Sequence, residues 1–148
     1  TLAQCNYGAA KMGMLGLSRS LAAEMARYSV TSNCIAPFAW TRIPASIPAA
    51  TEEIRERLDR LFKDMHPEDV SPLVVFLAGE EAARITGQVF GVRGKEIYTF
   101  DQPRVVRSLH KREGWTAKAL AAVLESTFRQ HLTPLDNSIT FFDWEALL

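Results

Sequence analysis

The chain has 148 residues, 47% apolar and 23% charged, which suffices for a buried core but is too short for two sizeable domains. Seventeen Lys and Arg balance seventeen Asp and Glu, which excludes wholesale binding to nucleic acid or a membrane surface, though not a local basic patch. Two cysteines, Cys5 and Cys34, lack the number for a disulfide scaffold and the spacing for a metal, and with no membrane span or signal peptide in view a soluble, cytoplasmic protein is expected.

Residues 8–28 repeat with helical period, and Met12, Leu15, Ala22 and Met25 are spaced for one apolar stripe. Gly13 and Gly16 each cost a helix about 1 kcal/mol relative to alanine. With Ala9 and Ser20 they make a small-residue face, which predicts close packing against another backbone. Val30 to Ala36 predicts a short strand buried between layers and ended by Pro37. Residues 37–50 carry Pro37, Pro44 and Pro48 and no period, a loop long enough to be functional.

Thr51 is placed to cap a helix whose first turn holds Glu52 and Glu53. Pro67 opens another, with Val70, Leu73, Val74 and Leu77 on its apolar face, and Gly79 closes it. Residues 88–92 predict a second strand ended by Arg93 and Gly94, and residues 96–100 a weaker third. Thr116 caps a last helix reaching about His131, with Leu120, Leu124 and Phe128 on one face. The tail beyond Pro134 holds Phe141, Phe142 and Trp144, expected to tuck against the body. Helix, strand, helix, strand is part of an α/β layer pattern. Two strands cannot complete a doubly wound parallel sheet, so the elements predict the second half of one.

Tyr7 and Lys11 lie four positions apart, hence one turn apart on one helix face. An ammonium beside a phenol favours the phenolate, so such a pair could exchange protons with a substrate hydroxyl or carbonyl near neutral pH. On spacing alone, an ordinary surface Tyr–Lys pair is the better reading. The surroundings add more. Residues 7–41, YGAAKMGMLGLSRSLAAEMARYSVTSNCIAPFAWT, resemble the catalytic helix and following strand of the short-chain dehydrogenase/reductase family. The Tyr-x-x-x-Lys, the small residues after it, the Leu-Ala-x-Glu turn and the Asn-x-Ile-Ala-Pro strand end match in order. Ile85-Thr86-Gly87-Gln88 and the strand after it resemble that family's last core strand. The resemblance covers residues 1–94, which makes 95–148 a C-terminal extension with one helix near 116–131.

One departure narrows the likeness. Phe38 stands where most members have glycine after the strand-end proline, and Thr41 lies four positions beyond Pro37 where five is usual. This form, with its long extension, looks more like the dehydrogenase domain of the peroxisomal multifunctional enzyme type 2 and its bacterial relatives. Those act on 3-hydroxyacyl-CoA thioesters, and some on steroids.

The resemblance implies a Rossmann-like fold, NAD or NADP as cofactor, and interconversion of a secondary alcohol and a ketone. It makes Tyr7 the general acid/base, and Lys11 the residue that holds the nicotinamide ribose and supports Tyr7. It places Thr41 and the backbone from Pro37 to Trp40 beside the nicotinamide and pyrophosphate. Asn33 and Pro37 read equally as a strand end and turn or as direct contacts to the cofactor. The family's glycine-rich phosphate turn and its catalytic serine would precede Thr1, so a fragment of a longer protein is expected, inactive alone. The intact enzyme is expected to be a homo-oligomer, with no nucleic-acid or membrane partner. A non-catalytic association module derived from such an enzyme is the alternative.

Residues 93–112 hold six basic side chains (Arg93, Lys95, Arg104, Arg107, Lys111, Arg112) against Glu96 and Asp101, a net of +4. They suit CoA phosphates, an acidic partner surface, or simply a solvated linker. His66, His110 and His131 are scattered, which argues against a metal site. Cys34 reads as a small core residue. Trp40 and Phe38 read equally as pocket lining or as core filling.

Overall fold

The computed structural model describes residues 5–39, 41, 51–53, 55, 56, 59, 63 and 65–135. These fall into two units, 5–101 and 102–135.

In the first unit, helix α1 (Cys5–Met25) runs on through a 3-10 turn, Ala26–Tyr28. Ser29 then reverses the chain at φ 57, its N–H bonded to the Ala26 carbonyl at 3.0 Å. The apolar stripe differs from expectation. Met12 is 61% exposed, and the packed seam runs through Leu15, Ser18, Ala22 and Met25, with Ser18 and Ala22 buried. Ser18 belongs there because its hydroxyl shares a hydrogen bond with the Ser32 hydroxyl at 2.9 Å, so the buried polar group is satisfied. Ala9, Gly13, Gly16 and Ser20 face the opposite way. A Cβ at Gly13 or Gly16 would meet nothing within 4 Å among the described residues, so the close approach expected at that face is not made within this unit.

Strand β1 spans Cys34–Phe38, later than the expected 30–36, and Pro37 lies inside it rather than ending it. The register explains why a proline is tolerated. The Cys34 N–H donates to the Gln88 carbonyl at 2.8 Å, so Cys34, Ala36 and Phe38 address the next strand by alternation. Pro37 therefore turns its missing donor away from β2, so no bond of the β1–β2 ladder is lost. Strand β2 (Val89–Arg93) pairs in parallel with β1, Ala36 opposite Gly91 and Pro37 opposite Val92. Strand β3 (Glu96–Thr99) returns antiparallel to β2, and the order is β1-β2-β3. Gly94, at φ 56, makes the two-residue reversal that suits a twisted hairpin. The central strand carries the core, with Val92 1% and Val89 7% exposed, joined by Ala82, Met65 and Leu73.

Between β1 and β2, the Arg55 N–H reaches the Thr51 carbonyl at 3.1 Å and the Lys63 N–H the Asp59 carbonyl at 2.9 Å, the i to i−4 bonds of helix. Pro67 opens a 3-10 turn whose Asp69 carboxylate accepts from the His66 N–H at 3.0 Å. Helix α2 (Ser71–Ala78) follows. It buries Leu73 and half-buries Val70 and Leu77, but Val74, expected on the same face, is exposed along with Val75 and Phe76. Gly79 closes α2 at φ −88, without a left-handed residue.

The second unit is an irregular stretch leading to helix α3 (Ala117–Phe128). The Thr116 side chain caps α3 by accepting from the Ala119 N–H at 3.2 Å, as its sequence predicts. Leu120, Val123 and Phe128 form its half-buried face, whereas Leu124 is 43% exposed. The aromatic tail, Phe141, Phe142 and Trp144, lies outside the described residues.

Candidate active site

The short connection before each parallel strand holds the site's scaffold together. Asn33, just ahead of β1, donates through Nδ2 to the Ile85 carbonyl at 2.7 Å and accepts through Oδ1 from the Gln88 N–H at 3.0 Å. The Ser32 N–H donates to the Thr86 hydroxyl at 3.0 Å, and the Gly87 N–H to the Ser32 carbonyl at 2.7 Å. Gly87 is favoured here by its φ of 69, which disfavours a side chain, and a Cβ there would make ordinary contact with the Ala22 Cβ of α1 at 3.5 Å. Four bonds between 32–33 and 85–88 thus start β1 and β2 together and seat α1 on them. Both bonds of the Asn33 side chain serve the strand starts.

Two contacts set the direction of α1. The Met14 carbonyl lies 3.9 Å from Cys34 Sγ, and Ser18 meets Ser32. Four helical residues advance about 6 Å while two strand residues advance about 6.6 Å, so helix and strand are matched and antiparallel. Seven further residues toward the helix start rise about 10 Å, as do three strand residues, which brings Tyr7 level with Pro37. The N-terminal turns of α1 therefore stand beside the carboxyl end of β1, the edge at which open α/β sheets bind ligands.

Tyr7 and Lys11 continue the Leu15–Ser18–Ala22 seam beyond the point where the helix is covered. Tyr7 is 57% exposed, and the Lys11 ammonium sits 5.3 Å from its ring centroid, within cation–π reach. A phenol hydroxyl open to a ligand, with a cation against its ring, can pass a proton to or from a substrate oxygen. Pro37 is exposed at the end of β1, and so is Thr41 after it. Trp40 lies outside the described residues. Phe38 is half-buried, and so is Cys34. Among the described residues no group of three or more His, Cys, Asp or Glu gathers as a metal site. No helix among them is long and apolar enough to cross a membrane.

The β2–β3 hairpin supports this edge through a cluster that the residue pattern did not disclose. Arg93, counted with the basic run, is 6% exposed and bound to the Glu96 carboxylate through Nε at 2.9 Å and a terminal nitrogen at 2.8 Å. Tyr98 lies over Gly91, its cross-strand partner, and a Cβ at Gly91 would overlap the Tyr98 ring. Burial pushes the Tyr98 phenol up to about 12, with Arg93 pulling it down and Glu96 pushing it up by less. The Phe100 ring meets Tyr98 edge to face at 5.5 Å between centroids. A glycine facing an aromatic two positions past an Arg-Gly-Lys-Glu turn was the available signal.

The family described as Enoyl-(Acyl carrier protein) reductase matches residues 2–94. A hydroxyacyl-CoA dehydrogenase of Mycobacterium tuberculosis is 35% identical over 127 residues, covering 84% of this chain and 39% of the relative. That is more than residues 2–94 can supply, so the likeness runs on past β2. The peroxisomal hydratase-dehydrogenase-epimerase of Saccharomyces cerevisiae is 37% identical over 87 residues, 59% of this chain and 9% of its own length. The crystal structure of a short chain dehydrogenase from Mycobacterium avium superposes with a TM-score of 0.69 at 35% identity, covering 91% of this chain and 40% of that one. The chain thus spans well under half the length of these relatives.

Proposed function

Because the chain belongs to the short-chain dehydrogenase/reductase family, we propose that the protein carrying it interconverts a secondary alcohol and a ketone with NAD or NADP, on a 3-hydroxyacyl-CoA or a related substrate such as a steroid. One observation carries the reading: Tyr7 and Lys11 stand together and open to a ligand, and the antiparallel register of α1 on β1 runs that end of the helix toward the carboxyl end of the strand. The name of the mycobacterial hydroxyacyl-CoA relative supports the substrate class.

The residues present fit a dinucleotide. Lys11 offers an exposed ammonium to a ribose hydroxyl, and Thr41 an exposed hydroxyl after the strand end. When bound, the nicotinamide supplies the hydride chemistry. This chain's part is the proton. In the direction of oxidation, Tyr7 Oη accepts the proton of the substrate hydroxyl, and in reduction it returns one to the carbonyl oxygen. Lys11 holds the ribose beside it. The phosphate-binding turn and the serine of the family are assigned to residues outside these 148, so 1–94 is the C-terminal portion of the Rossmann-like domain.

The test is a turnover assay on the full protein with a 3-hydroxyacyl-CoA and either dinucleotide, read as the absorbance of the reduced cofactor. Turnover with neither cofactor, on thioesters or on steroid alcohols, would overturn the reading.

A further inference from the structure

Tyr7 can serve a substrate only if α1 is held at one height and one rotation on the sheet. Apolar packing alone fixes neither, because it is non-directional. The covered seam of α1 is short, running through Leu15, Ser18, Ala22 and Met25, and residues 5–14 are all exposed. Among the described residues, Ser18 is the one side chain of α1 that hydrogen-bonds the sheet layer, hydroxyl to hydroxyl with Ser32 at 2.9 Å. The Met14 carbonyl also meets Cys34 Sγ, but at 3.9 Å and from a thiol, which donates weakly. Ser32 is itself a fixed point. Its N–H donates to the Thr86 hydroxyl at 3.0 Å and its carbonyl accepts from the Gly87 N–H at 2.7 Å, so its backbone is clamped on both sides to the segment that starts β2. Among the described residues its hydroxyl has Ser18 as its partner and no other.

Ser18 also lies where it can steer Tyr7. Eleven positions separate them, about 16 Å along the axis and just over three turns, so both side chains leave the helix on one side. A hydroxyl pair tolerates only a few tenths of an ångström about its length before the bond is lost. Helix α1 is one unbroken ladder from Cys5 to Met25, so a slide or rotation at Ser18 is carried to Tyr7. On the acid/base role given to Tyr7 above, we propose that Ser18 is a positioning residue for the proton-transfer step: through Ser32 it sets the height and rotation of α1, and thereby the place of the Tyr7 hydroxyl. Ser18 itself touches no reacting atom. Lys11 rides on the same helix, but its flexible four-carbon stem lets the ammonium follow a ribose. The Tyr7 ring turns about two torsions and has a fixed reach, so proton transfer is more sensitive to the hydroxyl pair than cofactor binding is.

The test is a double-mutant cycle on the full protein, Ser18→Ala, Ser32→Ala and both together. Turnover on a 3-hydroxyacyl-CoA and titration of the dinucleotide are measured well below the melting temperature. Each single substitution should lower kcat by about tenfold or more, since a misplacement of about 1 Å can cost about 10²-fold, while dinucleotide affinity changes little. The double variant should lose no more than either single one. The solvent deuterium isotope effect on kcat should rise in each, because a misplaced Tyr7 makes proton transfer limiting, which mere destabilisation of the fold does not do. Ser18→Thr, which keeps the hydroxyl, should retain most of the turnover, and Ser20→Ala, on the exposed side of α1, all of it. Additive losses, or a kcat that Ser18→Ala leaves within about twofold of wild type, would overturn the positioning role. A crystal structure of the full protein carrying Ser18→Ala supplies a readout that needs no turnover. The Tyr7 hydroxyl should be displaced by about 1 Å relative to β1, and a hydroxyl still in its wild-type place would overturn the proposal. Displacement in a protein whose wild type turns over no alcohol upholds the positioning and counts against the proposed function alone.

Discussion

Replacing Gly91 with alanine tests whether the hairpin is built around the Tyr98 ring. Gly91 lies in the central strand with Ala36 on one side and Tyr98 on the other. The added Cβ would fall on the ring, within 2.6 Å of the phenol oxygen and closer still to two ring carbons. The ring must move off the strand, and forcing one extra carbon into a packed site costs about 1–3 kcal/mol. Against this, alanine restricts the unfolded chain and gains about 0.4–1 kcal/mol where the native backbone accepts it. Gly91 is not among the positive-φ residues, so that gain applies. The net expectation is a loss of about 1–2 kcal/mol in the native background. In a Tyr98→Ala background the ring is absent, and Gly91→Ala should be neutral or slightly stabilising. Urea unfolding of the four proteins at one fixed concentration measures the cycle, with a coupling of about 1–3 kcal/mol expected for residues in contact. An equal cost of Gly91→Ala in both backgrounds would refute the packing argument.

Other consequences are equally direct. The Tyr98 phenol ionises near 12 in the fold and near 10 when unfolded. Between those values the unfolded state sheds its proton first, so stability should fall as pH rises from about 10 to 12, and Tyr98→Phe should flatten that slope in alkaline denaturation. Asn33→Ala removes two bonds that start the parallel pair and should cost about 1–3 kcal/mol in the same urea assay. Lys11→Ala should weaken dinucleotide binding by about tenfold, the worth of one charge-assisted hydrogen bond, as read by titration of the full protein.

What could be read from the residues followed from local rules. Thr116, Pro67 and the small-residue helix after Tyr7 each state their element through capping, fixed φ or period, and each stands where expected. The errors came where tertiary context decides. Proline lacks a donor and so predicts a strand end at Pro37, but only the pairing with β2 reveals that this ladder does not need that donor. Met12 was placed in the stripe by hydrophobicity, whereas Ser18 holds the seam through a hydroxyl fourteen residues away. Val74 looks like core in a helix that is apolar all round, and period cannot choose a face when every position qualifies. Tyr7 and Lys11 were legible as a pair because helical spacing alone brings them together. Their standing at the carboxyl end of β1 was not, since it depends on Met14 meeting Cys34 and Ser18 meeting Ser32.

The proton-transfer role of Tyr7 is the central claim, and Tyr7→Phe in the full protein tests it most directly. Phenylalanine keeps the ring against Lys11 and removes only the hydroxyl, so dinucleotide affinity should be unchanged. Turnover should fall by about 10²–10⁴-fold, the usual contribution of a general acid/base. A variant that kept more than about a tenth of the wild-type turnover would contradict the assignment, because no positioned proton carrier is worth so little.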